Sequence, residues 1–535
     1  MPSIYFSEEH DEFRRAVRRF IEKEVAPHAD EWEEAGRIPR DVFRRMGELG
    51  FLGINFPETY GGSGVDLFFA VAFIEELPRS MMGGFCGAVT VQQFMATQHI
   101  YKFGSEELKR RYLVPSIEGK WVGALAVTEP DTGSDVASIR TRAVRDGDDY
   151  VVNGAKTFIT NGADGDFYTL AVKTTPNAGV GGISLLVVDA DTPGVTVARR
   201  LKKLGLKSSD TAELAFEDVR VPASHLVGQE NMGFYYLMEA FQLERLVSAL
   251  ISVGSCDICI ELALDYMKER KVFGKPLTKY QALTHKLADL AAETEGARQL
   301  AHQAAWLYEN GHPAVRECSM AKLFASEVAT KVAYHGLQCF GGYGYMEEYP
   351  MARFYRDSRS GTIVAGSSEI MREIISRIMI EGTVPARVAE RHQEQDGPRA
   401  EDAPASRPAS PASDVSPASP ADGPREPVTV ESLFRSLPSR RRKDKAEGWT
   451  TRFHFKIAGS STPAWTVRID GAECAVSPGL EGDPDCVVEM DEETYLGVET
   501  GTINPQVAFM MGKVTVSNIA EMMTYVKAFR PVFKP

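Results

Sequence analysis

The sequence predicts a multidomain protein in which a helical, an antiparallel β and a second helical region precede a small α+β domain. Apolar residues recur with helical spacing in 1–120 and again in 229–385, whereas 121–228 consists of short alternating runs separated by Gly, Asn and Asp. A segment rich in Pro, Ala and Ser, 386–427, has almost no large apolar residue and is predicted to be a disordered linker. This linker separates the second helical region from the last domain, 428–535.

Composition narrows the class of protein. The chain has 535 residues and a net charge of -14, which argues against general nucleic-acid binding. No apolar run is expected to reach the roughly 18 residues of a membrane span, and the acidic N-terminus lacks signal-peptide and transit-peptide character. We therefore expect a cytoplasmic protein without a transmembrane segment. Seven cysteines do not make a disulfide framework, and the Cys256/Cys259 pair lies in a helical pattern, so buried thiols and no metal site are predicted.

Local signals place the elements of the first two regions. Ser7 is the predicted N-cap of a helix over 7–26. Turns rich in Gly and Pro separate it from further predicted helices at 40–49, 65–77, 90–101 and 106–117. The predicted strands are the alternating runs VGALAV, YVVNGAKTFITN, YTLAVKT, ISLLVVD, TVARR and AELAFEDV.

The segment 233–274 is the centre of the second helical region. Most of it is a long amphipathic helix pattern, and Glu244 interrupts its apolar stripe. An ionised carboxylate is costly among apolar neighbours, so we expect a raised pKa for Glu244, which suits a base that removes a weakly acidic proton. The segment alone leaves a second interpretation open, in which Glu244 pairs with Arg245 or faces water. The apolar stripe is formed by Phe241, Leu243, Leu246, Leu250 and Val253.

Two longer motifs connect these regions to a known family. AVTEPDTGSDVAS (126–138) and QCFGGYGYMEEYPMARFYRD (338–357) resemble the two signature segments of the acyl-CoA dehydrogenases. KTFITNG and ERKVFGKPL lie between them in the family's order. The first signature segment departs from the family pattern at Thr132, where the family usually has a small residue. The resemblance covers 1 to about 383. It implies the acyl-CoA dehydrogenase fold, with an N-terminal α domain (1–120), a middle β domain (121–228) and a C-terminal α-bundle (229–385).

The resemblance also implies FAD as cofactor. A turn that leaves a strand with hydroxyls and a glycine can hold a flavin edge and phosphate oxygens. By resemblance, Thr128 contacts the flavin pyrimidine and Ser134 the pyrophosphate and thioester side, while Phe158, in place of the more usual Trp, and Thr160 contact the ring. The other predicted cofactor contacts are Gly133, Arg270, Phe273, Gln281, Gln338, Gly341, Gly342, Ser367 and Glu369.

Arg270 and Phe273 resemble residues that reach the FAD pyrophosphate of a neighbouring subunit. Arginine suits this role because its planar fork can bind phosphate oxygens bidentately. A cofactor shared between chains implies an oligomer, and the family suggests a homotetramer.

The position of the base distinguishes branches of the family. In many members a Glu precedes Gly-Thr in the segment that here is VAGS (364–367), so Ala365 cannot be the base. In the long-chain and isovaleryl branches the base comes instead from the helix that carries LER or QER, which here is Leu243–Glu244–Arg245. Glu244 is therefore the predicted catalytic residue. The predicted substrate contacts are Ser134, Tyr235, Gln242, Leu243, Arg245, Ala365 and Gly366.

The reaction implied is α,β-dehydrogenation of an acyl-CoA to a trans-2-enoyl-CoA, with electron-transferring flavoprotein as acceptor. The backbone N–H of Ala365 and a ribityl hydroxyl of FAD would stabilise charge on the thioester carbonyl. GYMEEYPMARFYRDSR and GSSEIMREIISR resemble the long-chain enzymes most, and this resemblance favours long or medium-long chains over isovaleryl. The sequence leaves open a carrier-protein thioester as substrate, reoxidation of the flavin by oxygen as in an acyl-CoA oxidase, and a protein that mainly binds or transfers lipid.

The last domain, 428–535, resembles the sterol carrier protein 2 (SCP2) family. Its runs TRFHFKIAG, AWTVRID, AECAVSPG and DCVVEM predict an antiparallel sheet, followed by helices at 491–500 and 517–529. The resemblance implies an apolar tunnel that binds lipid or acyl chains. The basic run 440–443 is predicted to be a solvated helix end, with contact to CoA phosphates or an anionic surface as the alternative. The sequence favours neither of two roles, lining of that tunnel or packing in the core, for Phe509, Met510, Met511, Met522 and Met523.

Overall fold

The computed structural model describes residues 4–381, 429–442, 449–471, 473–500 and 513–529. The chain forms two compact units, Met1–Val384 and Pro385–Pro535. The predicted linker, 386–427, lies outside the described residues.

The first region of the larger unit is helical, as predicted. Its first helix is capped by Ser7, whose backbone N–H donates to His10 Nδ1 at 2.9 Å. The predicted helix at 90–101 continues further towards the N-terminus and contains a π-helical turn, Gln92–Ala96. The helices are α1 (Glu8–Phe20), α2 (Ala29–Ala35), α3 (Arg40–Glu48), α4 (Leu67–Glu76), α5 (Gly83–Val91), α6 (Thr97–Phe103), α7 (Glu106–Leu108) and α8 (Val114–Ile117).

A seven-stranded sheet follows. Its strands are β1 (Gly123–Ala126), β2 (Arg142–Asp146), β3 (Asp149–Thr160), β4 (Phe167–Lys173), β5 (Ile183–Asp189), β6 (Val195–Arg200) and β7 (Thr211–Pro222). The order is β1-β4-β2-β3-β7-β6, with β5 paired to β4. Most pairs are antiparallel, as expected, but β4 runs parallel to β1, with Gly123 opposite Phe167, and to β2, with Arg142 opposite Lys173. Two strands separated by this much chain are free of the hairpin connection that forces antiparallel pairing.

Strand β2 was not among the predicted strands. Only one of its five residues, Ala143, is buried, so the strand lacks the apolar alternation that marks a half-buried strand.

The second helical region is built around one 37-residue helix. Its elements are α9 (Gly233–Glu269), β8 (Lys271–Val272), β9 (Lys275–Pro276), α10 (Gln281–Glu309), α11 (Val315–Phe340), α12 (Pro350–Ser358) and α13 (Ser368–Glu381). Helix α9 packs against α4, α10 and α11. It is buried on most faces, so the predicted single apolar stripe is too narrow a description.

The expectation that no apolar run reaches the length of a membrane span was wrong for α9. Within the described residues, α9 is long and apolar enough to cross a bilayer by length and composition. However, 67% of its most apolar window is buried inside the protein, which is the pattern of a core helix. Cys256 and Cys259, predicted as buried thiols, lie on this helix and are buried.

The smaller unit combines a five-stranded sheet with helices. Its elements are α14 (Val430–Arg440), β10 (Thr450–Ala458), β11 (Ala464–Asp470), β12 (Glu473–Pro478), β13 (Cys486–Asp491), α15 (Glu492–Thr500), β14 (Val514–Val516) and α16 (Ile519–Ala528). The strand order is β12-β11-β10-β13-β14. The purely antiparallel prediction fails at β10 and β13, which are parallel, with Phe453 opposite Cys486.

The core of this unit is aromatic. The ring of Phe434 stacks on Trp465 and Tyr495 at centroid distances of 4.8 and 4.7 Å. Met522 packs at the edge of this core, whereas residues 509–511 and the side chain of Met523 lie outside the described residues.

The prediction of a solvated helix end at 440–443 was wrong for Arg440. Its guanidinium lies 2.6 Å from Glu499 Oε2, and both side chains are nearly buried. The long side chain folds back over its own unit, where the carboxylate compensates its charge.

Candidate active site

Glu244 lies on the fourth turn of α9 with 6% of its surface exposed. Within the described part of the chain its Oε1 has no hydrogen-bond partner. Burial raises the pKa of this carboxyl to about 8, and the nearby charge of Arg245 opposes the rise. The water-facing interpretation is therefore wrong, and the carboxyl is held largely protonated at neutral pH, close to the point where it ionises.

A second buried polar group follows directly on the same helix. Arg245 is 9% exposed, and burial lowers its pKa, while the neighbouring Cys318 and Glu244 oppose that shift. Its charge also acts on Lys322 of α11, one helical turn beyond Cys318. Helices α9 and α11 thus bring two buried cations, Arg245 and Lys322, close enough to repel each other, and Arg245 directly follows the predicted base in the chain.

Lys322 connects this pair to the predicted thioester turn. Its side chain is fully buried, and Nζ donates a hydrogen bond of 2.5 Å to the carbonyl oxygen of Gly366. Ala365 and Gly366 both have positive φ, at 53° and 85°. The turn is followed by the N-terminus of α13, where Ser367 Oγ accepts from the Ile370 N–H at 3.4 Å, and Glu369 is exposed.

Three predicted site residues other than glycine have left-handed backbone: Phe158 (60°), Phe273 (50°) and Ala365 (53°). This region is sparsely populated for residues with a Cβ, and such strain concentrates at functional sites. Phe158 is 68% exposed and Phe273 is 92% exposed, which is unusual for phenylalanine. Exposed aromatic rings on strained backbone are consistent with surfaces that receive a ligand or another subunit.

A buried ion pair, Lys156–Glu129, stabilises the turn that carries Thr128. Lys156 Nζ donates to the Val127 carbonyl and to Glu129 Oε1, each at 2.8 Å. The Thr157 N–H donates to the Thr128 carbonyl at 2.9 Å, so this turn and the end of β3 with Phe158 and Thr160 form one body. Gly133 and Ser134 stay exposed beyond it.

Thr132, where the first signature segment departs from the family pattern, faces inward at this turn. Its side chain is buried, and its backbone exchanges two hydrogen bonds with Glu129, at 2.9 and 3.0 Å. The larger residue therefore does not occupy the exposed face that Gly133 and Ser134 present.

A cavity of about 550 Å³ brings together four other predicted cofactor contacts, Arg270, Gln338, Gly341 and Gly342. The Arg270 guanidinium lies 5.7 Å from the centre of the Tyr343 ring. A Cβ added at either glycine would meet nothing within 4 Å, so open space borders the backbone there. An arginine beside bare backbone fits a phosphate-bearing group.

Some predicted contacts are not brought together with these groups. Phe273 and Gln281 are exposed and do not line the cavity within this single chain. Tyr235 and Gln242 are half-buried on α9, near Glu244 in sequence, while Leu243 is buried.

Sequence reasoning missed Lys322 and the Lys156–Glu129 pair. A signal for Lys322 exists in SMAKLFASEVA, where one lysine lies within an otherwise small and apolar helix face, just as Glu244 does in α9.

Comparison with known families agrees with this geometry. Models of the acyl-CoA dehydrogenase N-terminal, middle and C-terminal domains match residues 7–120, 124–219 and 231–380. A model of the SCP-2 sterol transfer family matches residues 430–530.

Individual relatives cover the larger unit. The mitochondrial long-chain specific acyl-CoA dehydrogenase of Sus scrofa is 42% identical over 377 residues, which are 70% of this chain and 87% of the relative. Mitochondrial isovaleryl-CoA dehydrogenase of Pongo abelii is 36% identical over 375 residues, 69% of this chain and 88% of the relative.

Solved structures show the same fold. A probable acyl CoA dehydrogenase from Mycobacterium abscessus is 44% identical, with a TM-score of 0.69, and the match covers 70% of this chain and all of that one. A glutaryl-CoA dehydrogenase from Mycobacterium smegmatis in complex with FADH2 is 30% identical, with a TM-score of 0.67, and covers 72% and 97%. This chain therefore belongs to the acyl-CoA dehydrogenase family of FAD-dependent enzymes and carries a C-terminal SCP2 domain.

Proposed function

We propose that the chain catalyses α,β-dehydrogenation of a long or medium-long acyl-CoA, with Glu244 as the base. The observation that carries the proposal is the buried carboxyl of Glu244, whose Oε1 has no hydrogen-bond partner among the described residues and whose pKa is raised to about 8. Ala365, at the position where many family members have the base, has no titratable side chain.

Glu244 removes the α-proton of the thioester in this proposal. A carboxylate whose conjugate acid has a pKa near 8 is a much stronger base than a solvated one, and it is still ionised in a useful fraction at physiological pH. Burial of the carboxyl produces that shift and keeps water from competing for the base. The proton ends on an oxygen of Glu244.

The backbone N–H of Ala365 is the proposed donor to the thioester carbonyl. It stabilises the negative charge that develops on the oxygen as the α-proton leaves, and one such donor is worth about 3 kcal/mol. Since the donor is main chain, an alanine supplies it as well as any other residue. The left-handed backbone of Ala365 and Gly366 supports this role.

The bound FAD would supply the acceptor for the hydride that leaves the β-carbon. Thr128, Phe158 and Thr160 are proposed to hold its flavin ring, and Ser134 is proposed to contact its pyrophosphate and the thioester side. Arg270 is proposed to bind phosphate oxygens of the cofactor, and Gln338, Gly341 and Gly342 are proposed to contact the cofactor beside it. The cavity that these four residues line supports this. Phe273, Gln281, Ser367 and Glu369 remain proposed contacts.

Assembly and partners follow from the same resemblance. The exposure of Phe273 is consistent with a contact to a second chain, and we propose a homotetramer. Electron-transferring flavoprotein is the proposed acceptor and the cytoplasm the proposed location.

The substrate class rests on the relatives. The long-chain enzyme of Sus scrofa is more similar to this chain than the isovaleryl enzyme of Pongo abelii, at 42% against 36% identity. The SCP2 domain is proposed to bind lipid or acyl chains and to supply them to the dehydrogenase. Short tethers give local concentrations of about a millimolar.

Anaerobic bleaching of the bound flavin tests the proposal. Saturated acyl-CoAs of four to eighteen carbons and isovaleryl-CoA are added to wild type and to Glu244→Gln. Bleaching by long chains in wild type alone supports the reaction, the base and the substrate class together. Bleaching in both proteins contradicts the role of Glu244, and bleaching in neither contradicts acyl-CoA as the substrate.

A further inference from the structure

Lys322 is a buried cation that the proposed chemistry does not use. Its side chain has no exposed surface, and a buried ammonium is costly unless its charge is compensated. In the described part of the chain, the acceptor within hydrogen-bond distance of Nζ is the Gly366 carbonyl, at 2.5 Å, and not a carboxylate. A buried ammonium whose acceptor is one backbone carbonyl indicates that this hydrogen bond stabilises the turn that contains Gly366.

On balance, the surroundings of Lys322 disfavour the charged form of its side chain. Arg245 on α9 repels it, whereas Glu369 on α13 and Glu327 on its own helix attract it. Glu369 is exposed, and Glu327 lies 2.6 Å from Arg372. Burial and Arg245 together lower the pKa of Lys322 to about 8. The ammonium is thus a group whose local environment gives it little stabilisation apart from the Gly366 carbonyl.

The turn that Lys322 holds is conformationally demanding. Ala365 and Gly366 are successive left-handed residues, and an alanine adopts this conformation only where its surroundings impose it. A hydrogen bond to the Gly366 carbonyl fixes the turn from its buried side. The direction of the Ala365 N–H depends on that turn.

We propose that Lys322 is a positioning residue for the dehydrogenation: by binding the Gly366 carbonyl it keeps the Ala365 N–H directed at the substrate thioester oxygen. This rests on the proposed function, in which that N–H stabilises the developing charge. The ammonium behind the turn also favours negative charge on the substrate oxygen, because a nearby cation lowers the energy of an anion in a water-poor site.

Three variants and a control separate positioning from folding. Lys322→Met removes both charge and donor, Lys322→Gln keeps a donor without charge, and Lys322→Arg keeps both. Lys331→Met is the matched control, because Lys331 lies on the same helix but pairs at the surface with Glu293 at 2.5 Å. FAD content and melting temperature are measured for every variant, so that Lys322→Gln decides the question if Lys322→Met does not fold.

Two readouts follow on the FAD-loaded proteins. The first is the rate constant of anaerobic flavin bleaching at saturating acyl-CoA, together with the Kd of the substrate. The second is the pKa of the α-proton of bound 3-thiadecanoyl-CoA, followed by the long-wavelength absorption of its deprotonated form beside oxidised flavin. We expect Lys322→Met and Lys322→Gln to slow bleaching at least tenfold, with less than a threefold change in Kd, and to raise the pKa of the analogue by at least one unit. Lys322→Arg should show smaller changes than these in both the bleaching rate and the analogue pKa, and Lys331→Met should match wild type.

The outcomes distinguish the two proposals. Wild-type rates and an unchanged analogue pKa in folded Lys322→Met or Lys322→Gln overturn the role of Lys322 alone. A lower FAD content and a lower melting temperature with an unchanged analogue pKa would show that Lys322 is merely structural, and this result also overturns the proposed positioning role. If wild type itself is not bleached by any acyl-CoA, the proposed function fails first.

Discussion

Lys156 Nζ lies 2.8 Å from Glu129 Oε1 in a pair whose lysine is fully buried and whose carboxylate is 6% exposed. The carboxylate also accepts the backbone N–H groups of Arg140 and Thr141, at 2.5 and 2.9 Å. One side chain therefore connects β3 to the turn on which Thr128 and Ser134 are presented.

Removing one partner of this pair should destabilise the turn and weaken flavin binding. Lys156→Met leaves Glu129 as an uncompensated buried charge, for which the cost is typically about 3–5 kcal/mol. We expect a lower melting temperature and early flavin release, measured by flavin fluorescence during heating. Arg140→Gln is the control, because its ion pair with Asp131 at the same turn is exposed and should contribute little. Equal melting of wild type and Lys156→Met would contradict the role of the pair.

The rate of flavin reduction should rise with pH towards about 8. Glu244 must lose its proton to act as base, and burial raises its pKa to about 8. We expect the logarithm of the bleaching rate constant to increase with a slope near one below this pH. Glu244→Gln should lower the rate about 10²–10⁴-fold and abolish that slope. A rate that is independent of pH between 6 and 8 in wild type would argue against this ionisation.

The same ionisation should make the folded protein less stable at high pH. The folded-state pKa of Glu244 lies above its unfolded value, so the folded state binds more protons between the two, and its stability falls as pH rises through about 8. Glu244→Gln carries no such charge. We expect its melting temperature to exceed that of wild type at pH 9 by more than at pH 6. Between these two pH values the wild type should lose at most about 3 kcal/mol of unfolding free energy that Glu244→Gln keeps. Parallel pH profiles for the two proteins would disprove the burial effect.

Arg270→Gln should weaken FAD binding. Arg270 lines the cavity with Gln338 and two glycines, where a planar guanidinium can bind phosphate oxygens. We expect at least a tenfold higher Kd for FAD, measured by fluorescence titration of the apoprotein. Lys268→Gln is the matched control, since Lys268 is an exposed neighbour paired with Asp265 at 2.8 Å. An unchanged Kd in Arg270→Gln would remove Arg270 from the cofactor site.

Cutting the chain between the two units should affect long substrates selectively. If the SCP2 domain supplies acyl chains, separation loses the millimolar local concentration that a tether provides. A protease site placed within 386–427 should therefore raise the apparent KM for poorly soluble long-chain acyl-CoAs and leave that for butyryl-CoA unchanged. The same protein before cleavage is the control, and equal effects on both substrates would refute delivery by the SCP2 domain.

Much of the architecture was predictable because its signals are local. Ser7 begins the first helix, the alternation after Trp121 marks the sheet, and the motif residues identify the family. The strands that failed prediction lack such signals. Strand β2 buries one residue of five, and the parallel pairings of β1 with β4 and β10 with β13 join segments distant in the chain.

The sequence by itself determined the order of helical and β regions, the family, and the combination of a glutamate at 244 with an alanine at 365. Only the tertiary structure decided how these residues behave. Whether Glu244 ionises near pH 4 or near pH 8 depends on how deeply it is buried, and α9 is buried by packing against α4, α10 and α11, which lie far apart in the chain. The bond from Lys322 to Gly366 spans 44 positions and forms where the turn before α13 returns to α11, against which α13 packs. Periodicity reports average burial, whereas a pKa and a hydrogen bond are set by individual atomic neighbours.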